Sequence, residues 1–222
     1  MIFIMLIIMD IIAVQFMKDM MFITRTEVTL MNKPLFLFVG RSASGKTTIA
    51  KMLEEQYGYK QVESYTTRPP RFDGETGHIF VNDDEFKNLG ELAAYTFYNN
   101  YHYGTTLKQL NECDIYVVDI PGVEFLLKKL QNDSRPIYIF YFDASVYNRI
   151  LRMLDRDDSY MMVVSRLLED EKIDWFKKLD SLVWHYNNII GKSVQLFDIN
   201  ANSDPKYVMD LVLYYISKCV ED

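Results

Sequence analysis

The stretch Leu35–Thr48, LFLFVGRSASGKTT, constrains this chain more than any other: an apolar run closes on Gly40, and Gly45, Lys46 and Thr47 follow in the spacing G-x-x-x-x-G-K-[ST]. The run reads as a buried strand. A polyphosphate needs converging backbone N–H groups, glycines that let the main chain come close, and a helix N-terminus aimed at the anion. The loop residues Gly40, Ser42, Ala43, Ser44, Gly45, Lys46, Thr47 and Thr48 meet that demand and are expected to hold ATP. Lys46 should reach the β- and γ-phosphates, and the Thr47 hydroxyl should bind Mg²⁺. Ile49, Met52, Leu53 and Gln56–Tyr57 continue at helical spacing, and Gly58 supplies a stop.

With 222 residues, 49% of them hydrophobic, the chain has enough apolar surface for one good-sized core, and a single domain is expected. A formal net charge of −7 argues against a protein built to coat nucleic acid, because such binding depends on cationic neutralisation of phosphates. Cys113 and Cys219 lie far apart without metal-ligand spacing, so neither a disulfide framework nor a zinc site is indicated, and a reducing cytoplasm is the default setting. Met1–Met17 is apolar apart from Asp10 and Gln15. It is short for a bilayer span, carries a central acid, and lacks a basic leading region and a small-residue cleavage site, so no membrane attachment is expected. Residues 1–30 read instead as an upstream extension or a poorly ordered appendage, with the domain running over 31–222.

Apolar runs recur at Leu35–Val39, Lys60–Ser64, Ile115–Val118, Ile137–Phe142 and Val194–Ile199, separated by segments of helical periodicity. That alternation predicts an α/β fold with a mostly parallel five-stranded sheet and helices on both faces. Loops are expected at Pro69–Gly77, Asn99–Gly104 and Arg156–Ser159. Function belongs at the carboxyl ends of the strands. Trp175, Phe176, Leu179, Leu182, Val183 and Tyr186 are spaced to pack a helix on the core, and a last helix is expected over Asp204–Val220, capped by Ser203 or Asp204.

A second constellation runs Ser64-Tyr65-Thr66-Thr67-Arg68-Pro69-Pro70-Arg71 and on through Gly74-Glu75-Thr76-Gly77-His78. Arg68 and Arg71, three apart on a proline-stiffened loop, can converge on one phosphate, for which the arginine fork is suited. Here the chain resembles the guanylate kinase family, whose pattern is S-x-T-T-R-x-P-R, a G-E-x-x-G turn, a short strand and an acidic E-F helix start, matched by Asn82-Asp83-Asp84-Glu85-Phe86. The likeness continues through Tyr103-Gly104-Thr105-Thr106, Val117-Val118-Asp119, Arg152-Met153-Leu154-Asp155-Arg156 and Arg166-Leu167, and covers most of Met31–Val220.

The resemblance implies a P-loop kinase with a small acceptor-binding insertion at about 65–105 and a helical lid at about 152–170, moving a phosphoryl group from ATP to GMP or dGMP with Mg²⁺. It places Ser64, Arg68, Arg71, His78, Tyr103, Thr105 and Asp119 around the acceptor, Asp119 on the acceptor or metal side, and Arg152, Arg156 and Arg166 over the transferring phosphate. It also implies a monomer or homodimer. Phosphoryl transfer needs positioning and cationic stabilisation more than covalent catalysis, so no nucleophilic triad is required.

The chain departs from the pattern where the base would be read. Nine positions before Tyr103, where the family carries a glutamate, stands Ala94, with Glu91 three residues earlier. The turn after Gly77 is shorter, putting His78 in place of a tyrosine, and Asp119-Ile120-Pro121-Gly122 keeps one carboxylate of two. These departures keep open a kinase for another nucleotide or a ribose bisphosphate, and a noncatalytic binding module of the same fold.

Overall fold

The structure, a computed structural model, describes residues 33–70 and 73–221. The expectations on residues 1–30 and on Arg71 therefore lie outside the described residues. In chain order the elements are β1 (Leu35–Val39), α1 (Lys46–Tyr57), β2 (Ser64–Thr66), β3 (His78–Phe80), α2 (Asp83–Lys87), β4 (Leu92–Tyr98) and β5 (Tyr101–Thr106). There follow α3 (Leu107–Glu112), β6 (Ile115–Val117), α4 (Ile120–Lys129), β7 (Ile137–Asp143), α5 (Val146–Leu154), α6 (Tyr160–Asp170), α7 (Trp175–His185), a π-helical turn (Tyr186–Ile190), β8 (Val194–Asn200) and α8 (Pro205–Glu221).

The core sheet has the order β6-β1-β7-β8, with every pair parallel. Because side chains alternate along a strand, β1 and β7 feed two cores at once. Leu35, Leu37, Val39, Ile137 and Ile139 pack with Val123, Leu126 and Leu127 of α4 and Leu179 of α7. Phe36, Phe38, Tyr138, Phe140 and Phe142 turn to the other face and meet Ile49 and Leu53 of α1 and Val208, Val212 and Ile216 of α8. Aromatic rings dominate this second face, as in the Phe38–Phe142 and Phe140–Phe197 contacts at 5.0 and 5.2 Å between centroids.

The expected fifth strand is reduced to one bridge. Gln61 pairs with Ile115, and the Val62 N–H donates to the Ile115 carbonyl at 2.8 Å, but the chain then leaves the sheet. From Ser64 onward its backbone is taken by a second sheet of order β3-β2-β5-β4, in which β2 runs parallel to β3 and antiparallel to β5. The core sheet is thus four-stranded among the described residues. The expected loop at Asn99–Gly104 is also different: β4 and β5 form a hairpin closed by Asn99 and Asn100 alone, at φ +48° and +64°. Two central residues of positive φ match the right-handed twist of the flanking strands.

At the sheet edge opposite the phosphate loop, two buried cations are satisfied by main-chain carbonyls. Arg135 donates to Lys33, Leu110 and Cys113, and the Lys192 ammonium donates to Asp133 and Arg135. They tie strand starts together and are fully accounted for structurally. Asp204 caps α8 through the Lys206 N–H at 2.8 Å. Among the described residues no helix is long and apolar enough to cross a membrane.

Candidate active site

The phosphate loop joins β1 to α1 at the carboxyl end of the sheet. Gly40 and Gly45 have φ of +154° and +100°, and Ala43 adopts +58° despite its side chain. The Lys46 ammonium folds back over the loop, donating to the carbonyls of Gly40 and Arg41 at 2.8 and 2.9 Å and to Ser44 Oγ at 3.2 Å. Thr47 and Thr48 are exposed at the helix start, while Ser44 is buried beneath. Loop, Arg152, Asp155 and Arg156 together line a cavity of about 250 Å³.

Helix α5, the turn after it and α6 bring the expected arginines to different stations. Arg152 donates to the carbonyls of Ala43 and Ser44, both at 3.3 Å, and to that of Ala201 at 2.7 Å. Arg156 and Arg166 share one carboxylate, Asp158, at 3.4 and 2.7 Å. Arg156 faces the phosphate-loop cavity, whereas Arg166 lines a second cavity of about 530 Å³. Asp158 therefore links an arginine on the lining of one cavity to an arginine on the lining of the other.

That second cavity lies between the smaller sheet and α6, with Arg68, Tyr98, Tyr101 and Tyr103 on one wall and Met161, Met162 and Ser165 on the other. Arg68 is not an open fork, because Glu75 binds it in bidentate fashion at 2.8 and 3.1 Å. Its Nη1 also donates to the Pro69 carbonyl at 2.8 Å, and its Nε–H is buried without an acceptor. Ser64 Oγ lies 3.0 Å from His78 Nδ1, and the His78 ring meets that of Tyr103 at 5.9 Å. Thr105 is buried on β5, opposite Ala94.

Asp119 caps α4, accepting from the Gly122 N–H at 2.9 Å and from the Thr96 hydroxyl at 2.8 Å. Ala94 is buried within the apolar cluster that holds Leu110 and Val118, and no carboxylate stands there. Glu91 does not replace it. Its side chain is largely exposed and ion-pairs with Lys129 at the surface. Sequence reasoning had no role for Glu75, Thr96, Arg149 or Asp170; their signal is burial and partnership, which spacing does not carry. Among the described residues no group of three or more His, Cys, Asp or Glu could hold a metal by itself.

Burial pushes the Lys46 ammonium down to about 8, with Asp170 and Asp119 opposing and Arg149 and Arg156 adding to the fall. Burial likewise raises the Asp119 carboxyl and lowers Arg152. A pH dependence follows. If charged Lys46 serves the nucleotide, kcat/KM for ATP falls as pH rises through about 8. Stability moves the other way: the unfolded chain holds this proton up to 10.5, so between about 8 and 10.5 the unfolded state binds more protons and the Lys46 contribution rises with pH. Activity profiles, and the difference in Tm between the wild type and Lys46→Met across that range, check both signs.

No protein-family model matches the chain. Among curated proteins, it is 33% identical over 151 residues to a guanylate kinase of Helicobacter pylori, covering 62% of this chain and 72% of that protein. It is 29% identical over 147 residues to one from Geobacter metallireducens, covering 61% and 71%, and 32% identical over 143 residues to one from Hyphomonas neptunium, covering 59% and 65%. The crystal structure of guanylate kinase from Anaplasma phagocytophilum superposes with a TM-score of 0.50 over 87% of this chain and 90% of that one. At 14% identity, that likeness concerns the fold.

Proposed function

The chain belongs to the guanylate kinase family, and on that premise we propose that it transfers the terminal phosphoryl group of ATP to a nucleoside monophosphate, with GMP or dGMP the leading acceptor. The observation that carries this reading is a pair of cavities whose lining arginines, Arg156 and Arg166, share Asp158: a phosphate loop on one side and an arginine- and tyrosine-walled hollow on the other. In this reading Lys46 takes the β- and γ-phosphates and Arg152, Arg156 and Arg166 stabilise the charge on the moving group. Arg68, Arg71, Tyr103 and His78 hold the acceptor phosphate, with Ser64, Thr105 and Asp119 toward the rest of the acceptor. The lid excludes water that would hydrolyse ATP.

The donor set also fits Mg²⁺, which prefers hard oxygens and keeps waters alongside substrate phosphates. The Thr47 hydroxyl, with Asp119, would hold it, and the ion would polarise the phosphates and offset their charge. The buried Ala94 and surface Glu91 favour a second reading of the acceptor alone, a different small phosphorylated compound, because a guanine site without its carboxylate rejects other bases poorly.

The deciding experiment is ADP production by the full chain with Mg-ATP against GMP, dGMP, AMP, CMP, UMP, dTMP and a ribose bisphosphate. Turnover with GMP or dGMP is expected. Turnover with another acceptor alone would overturn the base assignment, and ATP binding without any turnover would make the chain a binding module.

A further inference from the structure

One buried ion pair stands against the phosphate loop without a part in the scheme above. Arg149 of α5, 1% exposed, meets Asp170, the last residue of α6, at 2.5 Å. Both partners also hold Ser42. Arg149 Nε donates to the Ser42 carbonyl at 3.0 Å, Asp170 Oδ2 accepts from the Ser42 N–H at 2.9 Å, and Asp170 Oδ1 lies 3.4 Å from Ser42 Oγ. One loop residue is therefore gripped at its donor and at its acceptor by two oppositely charged groups.

The next residue explains why a grip is needed. Ala43 sits at φ +58°, a left-handed conformation that a side chain disfavours and that persists only where the surroundings impose it. Arg152 holds the carbonyls of Ala43 and Ser44 from the far side. Together the three charged side chains fix residues 42–44, immediately before Gly45 and Lys46. An ion pair in a protein interior is by itself a poor source of stability compared with apolar packing. The contacts with Ser42 give this one a different use.

We propose that Arg149 and Asp170 are positioning residues for the nucleotide: the pair locks Ser42 and Ala43 in the shape that presents the loop to a polyphosphate, and, because it joins α5 to α6, it makes that shape depend on the placement of the lid. The inference rests on the ATP-binding reading of the loop. Neither residue touches the reacting atoms in this scheme; both act through the loop.

The test is the double variant Arg149→Asp/Asp170→Arg in the full chain. It keeps an ion pair between the helices but exchanges donor for acceptor, so the Ser42 N–H and carbonyl both lose their partners. We expect a thermal midpoint near the wild type, MgATP affinity weaker by about tenfold, and an acceptor KM little changed. Asp170→Asn, which keeps an acceptor for the Ser42 N–H but leaves the buried Arg149 without its counter-charge, should lower the thermal midpoint more than the exchanged pair does and MgATP affinity less. Recovery of both midpoint and MgATP affinity in the exchanged pair would reduce it to a staple between helices and overturn the proposal. Should the exchanged pair not fold, amide exchange in the wild type decides: the Ser42 amide should be protected without nucleotide, and exchange at the open-chain rate would overturn the proposal. A wild-type chain that binds no MgATP would take down the nucleotide reading and this inference with it.

Discussion

Replacing Lys46 with alanine is expected to lower kcat by about a thousandfold or more while the chain stays folded, since one preorganised charge at the site of transfer is worth that much. In the structure the ammonium binds only the loop: two carbonyls and the Ser44 hydroxyl. None of these contacts joins one core to another, and the loop borders an open cavity in which water can replace them. The cost therefore falls on function. Binding of MgATP should weaken far less than kcat, because the loop N–H groups and the helix N-terminus remain. Steady-state kinetics, nucleotide titration and a thermal melt of Lys46→Ala separate the three, and retained turnover would remove Lys46 from the proposed chemistry.

How far this could be read from the sequence depended on how local each constraint is. The phosphate loop is dictated by neighbours in the chain, since glycines, a lysine and a hydroxyl must fall within a few residues of one another, and the structure gives it the expected strand and helix. The core sheet was equally legible, because β1 and β7 are buried on both faces and so appear as unbroken apolar runs. The fifth strand failed for the opposite reason. Nothing within Lys60–Ser64 shows that the backbone after Val62 will be claimed by His78 and Gly104, residues far along the chain. The Asn99-Asn100 turn did carry a signal, two residues tolerant of positive φ between aromatic runs. At the site, Arg68 and Arg149 show what spacing omits. Spacing marks Arg68 as an open phosphate fork and leaves Arg149 an ordinary charge, and only the fold sets Glu75 against the first and Asp170 and Ser42 against the second.

Gly40→Ala should produce the largest combined loss, of stability and of nucleotide binding together. A Cβ on Gly40 would lie 2.6 Å from the Phe142 carbonyl oxygen and 2.9 Å from Ser44 Oγ. The first contact is with main chain on β7, whose Phe142 is paired with Ile199 of β8, so relief would require moving a central strand. The second is with the hydroxyl that accepts from Lys46. Crowding of this kind costs about 3 kcal/mol, and here it also displaces the lysine anchor, so MgATP affinity should fall with the midpoint. Gly191→Ala isolates the backbone term. That glycine has φ +78° at the end of the π-helical turn, with nothing within 4 Å of a new Cβ, so only the left-handed strain of about 1–2 kcal/mol is expected. Denaturant midpoints and MgATP titrations of the two variants should then diverge: Gly191→Ala loses stability alone, and Gly40→Ala loses both. Equal MgATP affinity in the two would mean that the loop does not depend on the close approach of Gly40 to β7.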